Sequence, residues 1–166
     1  EDHWSFRRSK WFEYVRNEVR HTAAHAGLLD MSAFAKCRIS GPGAEAFLDN
    51  LTANKLPKGI GRVSLSHALT EHGGVHSEYT IQRESADSFY IVSAGAGQRL
   101  DHDWIKKHMP DDGSARFDNL TNSIGVLVLA GPRSRDILQK LTRTDLSNMA
   151  FPWLSSKLID VNMAPA

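Results

Sequence analysis

His76, Glu78, Thr80 and Gln82 recur at every second position in one short stretch of this chain, with Val75, Ser77, Tyr79 and Ile81 between them. Side chains two apart share a face of a strand, so the four polar groups share one face and Tyr79 lies on the other. A carboxylate held mid-strand just past the Gly73-Gly74 turn can act as a proton acceptor. A solvated strand face has the same alternation, and the residues alone favour that plainer reading.

Other candidate groups argue for less. His21 and His25 are four residues apart on one predicted helix, His72 and His76 flank a turn, and His102 and His108 lie on or near a polar helix face. Zinc needs three or four converging ligands with support behind them, and no local third ligand appears, so no metal site is expected. Gly95-Ala96-Gly97 between a strand and a helix resembles half of a nucleotide-binding turn, but Leu100 occupies the position of the third glycine. The glycines are better explained by a tight turn. No Gly-x-Ser-x-Gly elbow is present, and Cys37, the single cysteine, alternates with Ala35 and Ile39 as a buried, unreactive thiol would.

Charge and composition narrow the classes. The 166 residues carry 20 basic and 19 acidic side chains, a net charge of +1 that gives no broad footprint for nucleic acid. Arg7-Arg8-Ser9-Lys10 beside Trp4, Phe6 and Trp11 reads as a short surface segment whose aromatics pack inward. The longest apolar run, residues 124–130, is too short to span a bilayer, so no membrane partner is expected. The absence of a leader suggests a cytoplasmic setting, or the mitochondrial matrix in a eukaryote, and the missing initial Met suggests a piece of something longer.

The elements that must position these groups follow from periodicity. Trp11, Val15, Val19 and Ala23 predict a helix over 10–25 that Gly27 stops. Residues 34–40 alternate as a strand, and Gly41-Pro42-Gly43 opens a helix carrying Ala44, Phe47, Leu48 and Leu51. Strands are predicted over 63–69, 75–83 and 89–93, a helix over 98–108 with Leu100, Trp104 and Ile105 as its apolar residues, and strands over 116–120, 125–129 and 157–163. Pro132 opens a helix to Leu141. Strands without regular βαβ alternation predict an α+β fold with antiparallel or mixed sheets. The linker Lys55–Gly61 suggests three parts: 1–56, 57–150, and a return segment 151–166.

Residues 27–56 (Gly-Leu-Leu-Asp-Met-Ser-Ala-Phe-Ala-Lys-Cys-Arg-Ile-Ser-Gly-Pro-Gly and onward to Leu56) carry a more specific message. Together with Trp11-Phe12-Glu13-Tyr14-Val15, Gly73-Gly74-Val75-His76-Ser77-Glu78-Tyr79-Thr80 and Leu129-Ala130-Gly131-Pro132-Arg133-Ser134-Arg135-Asp136, they resemble the N-terminal part of the folate-binding unit of the aminomethyltransferase (glycine cleavage T-protein) family. The resemblance covers nearly the whole chain and looks closest to the copy fused to dimethylglycine and sarcosine dehydrogenases.

That resemblance implies tetrahydrofolate as cofactor and capture of a one-carbon unit from an iminium as 5,10-methylenetetrahydrofolate. It places Glu78 where the family has the second Asp of Gly-Gly-Ile-x-Asp-Asp-Leu, the acid beside the reactive folate nitrogens. Phe34, Tyr79, Thr80, Tyr90 and Val92 align with folate-contacting positions, and Ala94 replaces a family Asn. The family's downstream Arg-x-Ser-Tyr-x-Gly-Glu segment is not matched, so the chain is expected to be half of a folate unit. FAD would belong only to a flavin-dependent dehydrogenase domain elsewhere in a parent protein, and this chain alone is expected to be inactive. Two other readings stand beside this one. The fold could serve as a non-catalytic folate- or partner-binding module, or the chain could form homo-oligomers through exposed edges.

Overall fold

The computed structural model describes residues 6–166. In chain order its elements are α1 (Phe12–Ala24), β1 (Gly27–Asp30), β2 (Ala35–Ser40), α2 (Ala44–Leu51), β3 (Val63–Leu69), β4 (Val75–Ser85), β5 (Ser88–Ser93), α3 (Gln98–Lys107), β6 (Arg116–Asn119), β7 (Leu127–Ala130), α4 (Ser134–Gln139), β8 (Asp160–Val161) and β9 (Ala164–Pro165). They fall into two compact units. One contains 31–126 and 147–158; the other takes the chain up to Asp30, 127–146 and 159–166.

The larger unit is built on a five-stranded sheet in the order β3-β4-β5-β2-β6. Its strands all pair antiparallel, and the fold is α+β. Strict alternation makes one face the core. Cys37 and Ile39 of β2, Tyr79 and Ile81 of β4, and Phe89 and Ile91 of β5 are buried together with Ala44, Phe47 and Leu48 of α2 and Ile105 of α3. Each large apolar side chain withdrawn from water stabilises this face by about 1.5–3 kcal/mol. Arg83 reaches the rim of the same face, where it donates to the Pro57 carbonyl at 2.7 Å and the Ala86 carbonyl at 2.9 Å, pairs with Glu45, and covers the Phe89 ring at 4.6 Å.

The division between the units falls at residues 30/31 and 126/127 rather than in the Lys55–Gly61 linker. The reason is hydrogen bonding: β2 is laced between β5 and β6, which binds the early strand to much later sequence. In the smaller unit β1 pairs with β7 alone, from Gly27 against Ala130 to Asp30 against Leu127. Local periodicity marks no strand over 27–30, because the partner that makes it one is Leu127–Ala130, far along the chain.

Four other expectations change. α1 buries none of its residues, and Phe6 and Trp11 are exposed rather than packed inward; Trp4 lies outside the described residues. Along α3 the inward positions are Asp101, His102 and Ile105, while Leu100 is exposed, so His102 belongs to the packed face. The helix that Pro132 was expected to open starts at Ser134, behind Arg133 as its N-cap residue. The strand predicted over 157–163 is a minimal pairing of β8 with β9. Gly95-Ala96-Gly97 forms a 3-10 turn into α3, and a side chain at Gly95 would collide with the Ala33 carbonyl oxygen. Close backbone approach is why glycine stands there.

Candidate functional site

The face of the large sheet opposite the core carries the predicted carboxylate. Residues on that face line up in rows set by strand register. His67 stands directly opposite Glu78. The next row runs Leu65, Thr80, Val92, Lys36, and the one beyond it Val63, Gln82, Tyr90, Arg38, Asp118. Four of the six expected site residues (Glu78, Thr80, Tyr90 and Val92) therefore share one surface contributed by β4 and β5. Phe34 sits just before β2, in a turn closed by its N–H on the Met31 carbonyl at 3.0 Å.

Tyr79 does not join them. It is fully buried in the core, its neighbours there being the residues that alternation directs inward. It lies on the face opposite Glu78 because adjacent residues of a strand point to opposite faces. His76 also departs. A bulge between the pairs Leu69–Val75 and Ala68–Ser77 leaves it without a cross-strand partner, and its ring stacks on Trp104 of α3 at 4.0 Å and 22°. Trp104 packs against the core, so His76 is drawn away from Glu78's surface.

The surface is graded from dry to wet. At one end Lys36 is completely buried, its ammonium donating to the Ser32 carbonyl at 2.8 Å. Thr80, Tyr90 and Val92 in the middle are half-buried. Leu65 and the Glu78 side chain, 65% exposed, form the open end. A tight ion pair braces the middle: Arg38 donates from Nε and Nη2 to the two carboxylate oxygens of Glu84 at 2.6 and 2.8 Å, and Ser88 Oγ donates to Glu84 at 3.0 Å. These bonds, led by Arg38, hold the Glu84 carboxyl below its ordinary range. Burial, then the Glu84 charge, pushes the Tyr90 phenol up from its usual value, so it stays protonated and able to donate.

Among the described residues Glu78 meets His67, with Nε2 and Oε2 3.2 Å apart. Sequence reasoning passed over His67 because nothing local marks it; only the β3–β4 register sets it against Glu78. Lys36 carries no local signal either, since its burial depends on what packs over it. The arrangement is a platform rather than an enclosed cavity. Two concave surfaces elsewhere, one between α1 and the β1–β7 ribbon and one along α3 from Gly95 to Lys106, include none of the expected site residues. Among the described residues no group of three or more His, Cys, Asp or Glu side chains is placed to hold a metal, and no helix is long and apolar enough to cross a membrane.

The chain presents an antiparallel α+β sheet with Glu78 at the open end of one face. It belongs to the GCVT N-terminal domain family, whose sequence profile matches residues 1–166. Mouse mitochondrial dimethylglycine dehydrogenase is 37% identical over 162 residues, covering 97% of this chain and 18% of that protein. The mitochondrial pyruvate dehydrogenase phosphatase regulatory subunit of mouse is 30% identical over 162 residues, covering 96% of this chain and 18% of the relative. Among solved structures, glycine cleavage system aminomethyltransferase T from Bartonella henselae is 25% identical with a TM-score of 0.65, over 75% of this chain and 34% of that one. The chain is thus an aminomethyltransferase-like domain of the kind found in dimethylglycine dehydrogenase relatives, and it spans less than a fifth of those relatives' length.

Proposed function

We propose that this domain serves folate-dependent one-carbon capture in a protein related to dimethylglycine dehydrogenase, with Glu78 as the proton acceptor. The observation that carries the reading is the placement of Glu78 at the open end of a flat sheet face, beside half-buried Thr80, Val92 and Tyr90. Bound tetrahydrofolate would supply two N–H groups and a carrier for the one-carbon unit. The platform fits such a ligand: Leu65 and Val92 offer apolar contact to a flat ring, and Thr80, Gln82 and Tyr90 offer hydrogen bonds beside it. Phe34, in the turn before β2, is proposed as a further wall.

Glu78's part is to take the proton that the attacking nitrogen must lose. A ligand lying over the open end strips water from the carboxylate, and a dehydrated carboxylate is a better proton acceptor. A flavin-dependent domain elsewhere in the native protein would generate the iminium. The mitochondrial matrix is proposed as the location, in keeping with the mitochondrial relatives.

Glu78→Gln in the native protein tests this. Formation of methylenetetrahydrofolate is expected to fall by about 100-fold, within the range for loss of a general base, while oxidation of the amine is unchanged. Full retention of both activities overturns the assignment. A second reading, a non-catalytic partner-binding module, draws on the relative that is named a regulatory subunit. It predicts that Glu78→Gln changes neither activity and that calorimetric titration of the native protein with tetrahydrofolate gives no heat of binding.

A further inference from the structure

We propose that Arg38 and Tyr90 form a subsite for the glutamyl carboxylate of bound folate, so that the ligand lies with its reactive nitrogens over Glu78 and its anionic end over β5 and β2. This deepens the proposed function and rests on the reading of the platform as a folate site. Tetrahydrofolate is asymmetric: an uncharged double ring at one end, an aminobenzoyl ring and a glutamate at the other, and the reactive nitrogens between. A flat face with its open carboxylate at one end does not treat those halves alike. Laid with its glutamate beyond Glu78, the ligand would carry negative charge past a carboxylate and toward the bulge, where His76 has turned off the surface. Laid the other way, the glutamate meets the row Gln82, Tyr90, Arg38.

Span and chemistry both suit the second direction. Gln82 is four residues beyond Glu78 along β4, and Arg38 lies two strands across from Gln82. At about 3.4 Å per residue and 4.8 Å per strand, the Glu78 and Arg38 backbones are about 16 Å apart. One ring and one amide place the ligand's carboxylate about 9 Å from the nitrogen that the ring bears, and the Glu78 and Arg38 side chains cover the remainder. Arg38 is pre-set to receive it. Its Nε and Nη2 are fixed on Glu84 at 2.6 and 2.8 Å, and among the described residues its Nη1 has no hydrogen-bond partner. A guanidinium locked along one edge offers its remaining N–H groups to a second carboxylate in a fixed plane. The Glu84 charge is already met by Arg38 and Ser88, and that of Asp118, opposite Arg38 on β6, by Arg116. An arriving carboxylate therefore meets paired charges, with the Tyr90 hydroxyl and the Gln82 amide as further donors in the same row.

The test measures ligand preference in the native protein. Calorimetric titrations compare tetrahydrofolate with the corresponding tetrahydropteroyl propylamide, which keeps the ring systems and the amide but carries no carboxylate. Wild type is expected to bind tetrahydrofolate about tenfold more tightly, the size of one charge-assisted hydrogen bond; equal affinities overturn the proposal. The preference is expected to vanish in Arg38→Gln and to fall about threefold in Tyr90→Phe. Each variant is compared with itself on two ligands, so general damage to the platform weakens both and leaves their ratio. A wild-type ratio in Arg38→Gln overturns the subsite. If Arg38→Gln does not fold, Tyr90→Phe, which disturbs no charge, decides alone, and a wild-type ratio there overturns it. Failure of both ligands to bind wild type sinks the folate reading and the proposal with it, an outcome distinct from binding without preference.

Discussion

Replacing Tyr79 by phenylalanine separates the two faces of the central strand. Tyr79 is completely buried, and among the described residues its Oη has no hydrogen-bond partner; Oδ2 of the buried Asp101 is likewise unpartnered there. Burial first, and the Asp101 charge second, push the Tyr79 phenol above its ordinary value. Ser77 eases that ionisation slightly without reaching hydrogen-bond geometry. A buried hydroxyl without a partner costs about 1–3 kcal/mol, and phenylalanine removes that cost while keeping the ring in the core cluster. The packing lost with one oxygen is small, so Tyr79→Phe should stabilise the domain by about 1 kcal/mol. For a domain of this size that corresponds to roughly 2–4 °C in Tm. Urea and thermal unfolding of the two chains side by side give the answer, with tetrahydrofolate titration of the native protein and its Tyr79→Phe variant as a companion. Destabilisation by a kilocalorie or more would mean that the hydroxyl makes a bond in solution. Unchanged stability with lost folate affinity would move Tyr79 to the ligand face and refute the alternation on which the site is drawn.

Two further outcomes follow from the same structure. Burial, with help from the Asp101 charge, pushes the Cys37 thiol from 9.0 up to about 12. Between those values the unfolded chain has released the thiol proton and the folded chain still holds it, so alkali favours unfolding. Above about pH 9 stability should decline by an amount that approaches about 1.4 kcal/mol per pH unit from this group, a slope missing from Cys37→Ala in urea midpoints compared at pH 9, 10 and 11. The β1–β7 ribbon leaves Leu28, Leu29 and Leu127 more than half exposed, and a two-stranded sheet is marginal by itself. The 166-residue chain is expected to self-associate at tens of micromolar, and Leu29→Asp to weaken that association. Light scattering showing a clean monomer for the parent chain contradicts it.

The sequence by itself determined the local matters. Alternation in Val75–Arg83 separated Glu78, Thr80 and Gln82 from Tyr79 and Ile81, and β3, β4 and α2 begin where periodicity puts them. Two-residue and 3.6-residue periods are written into neighbouring positions, so they can be read without a fold. The resemblance in residues 27–56 and 73–80 identified the family for the same reason: it lies in short, contiguous stretches.

Tertiary structure decided everything that depends on which segments meet. Gly27–Asp30 became a strand only because Leu127–Ala130 lies beside it, and the unit boundary moved because β2 is hydrogen-bonded between β5 and β6. One bulged residue turned His76 toward Trp104 and left His67, an unremarkable edge-strand position, as the neighbour of Glu78. Burial of His102 and Lys36 likewise reflects what packs over them. Strand register and helix docking are set by contacts between residues tens of positions apart, and a local pattern carries no record of them.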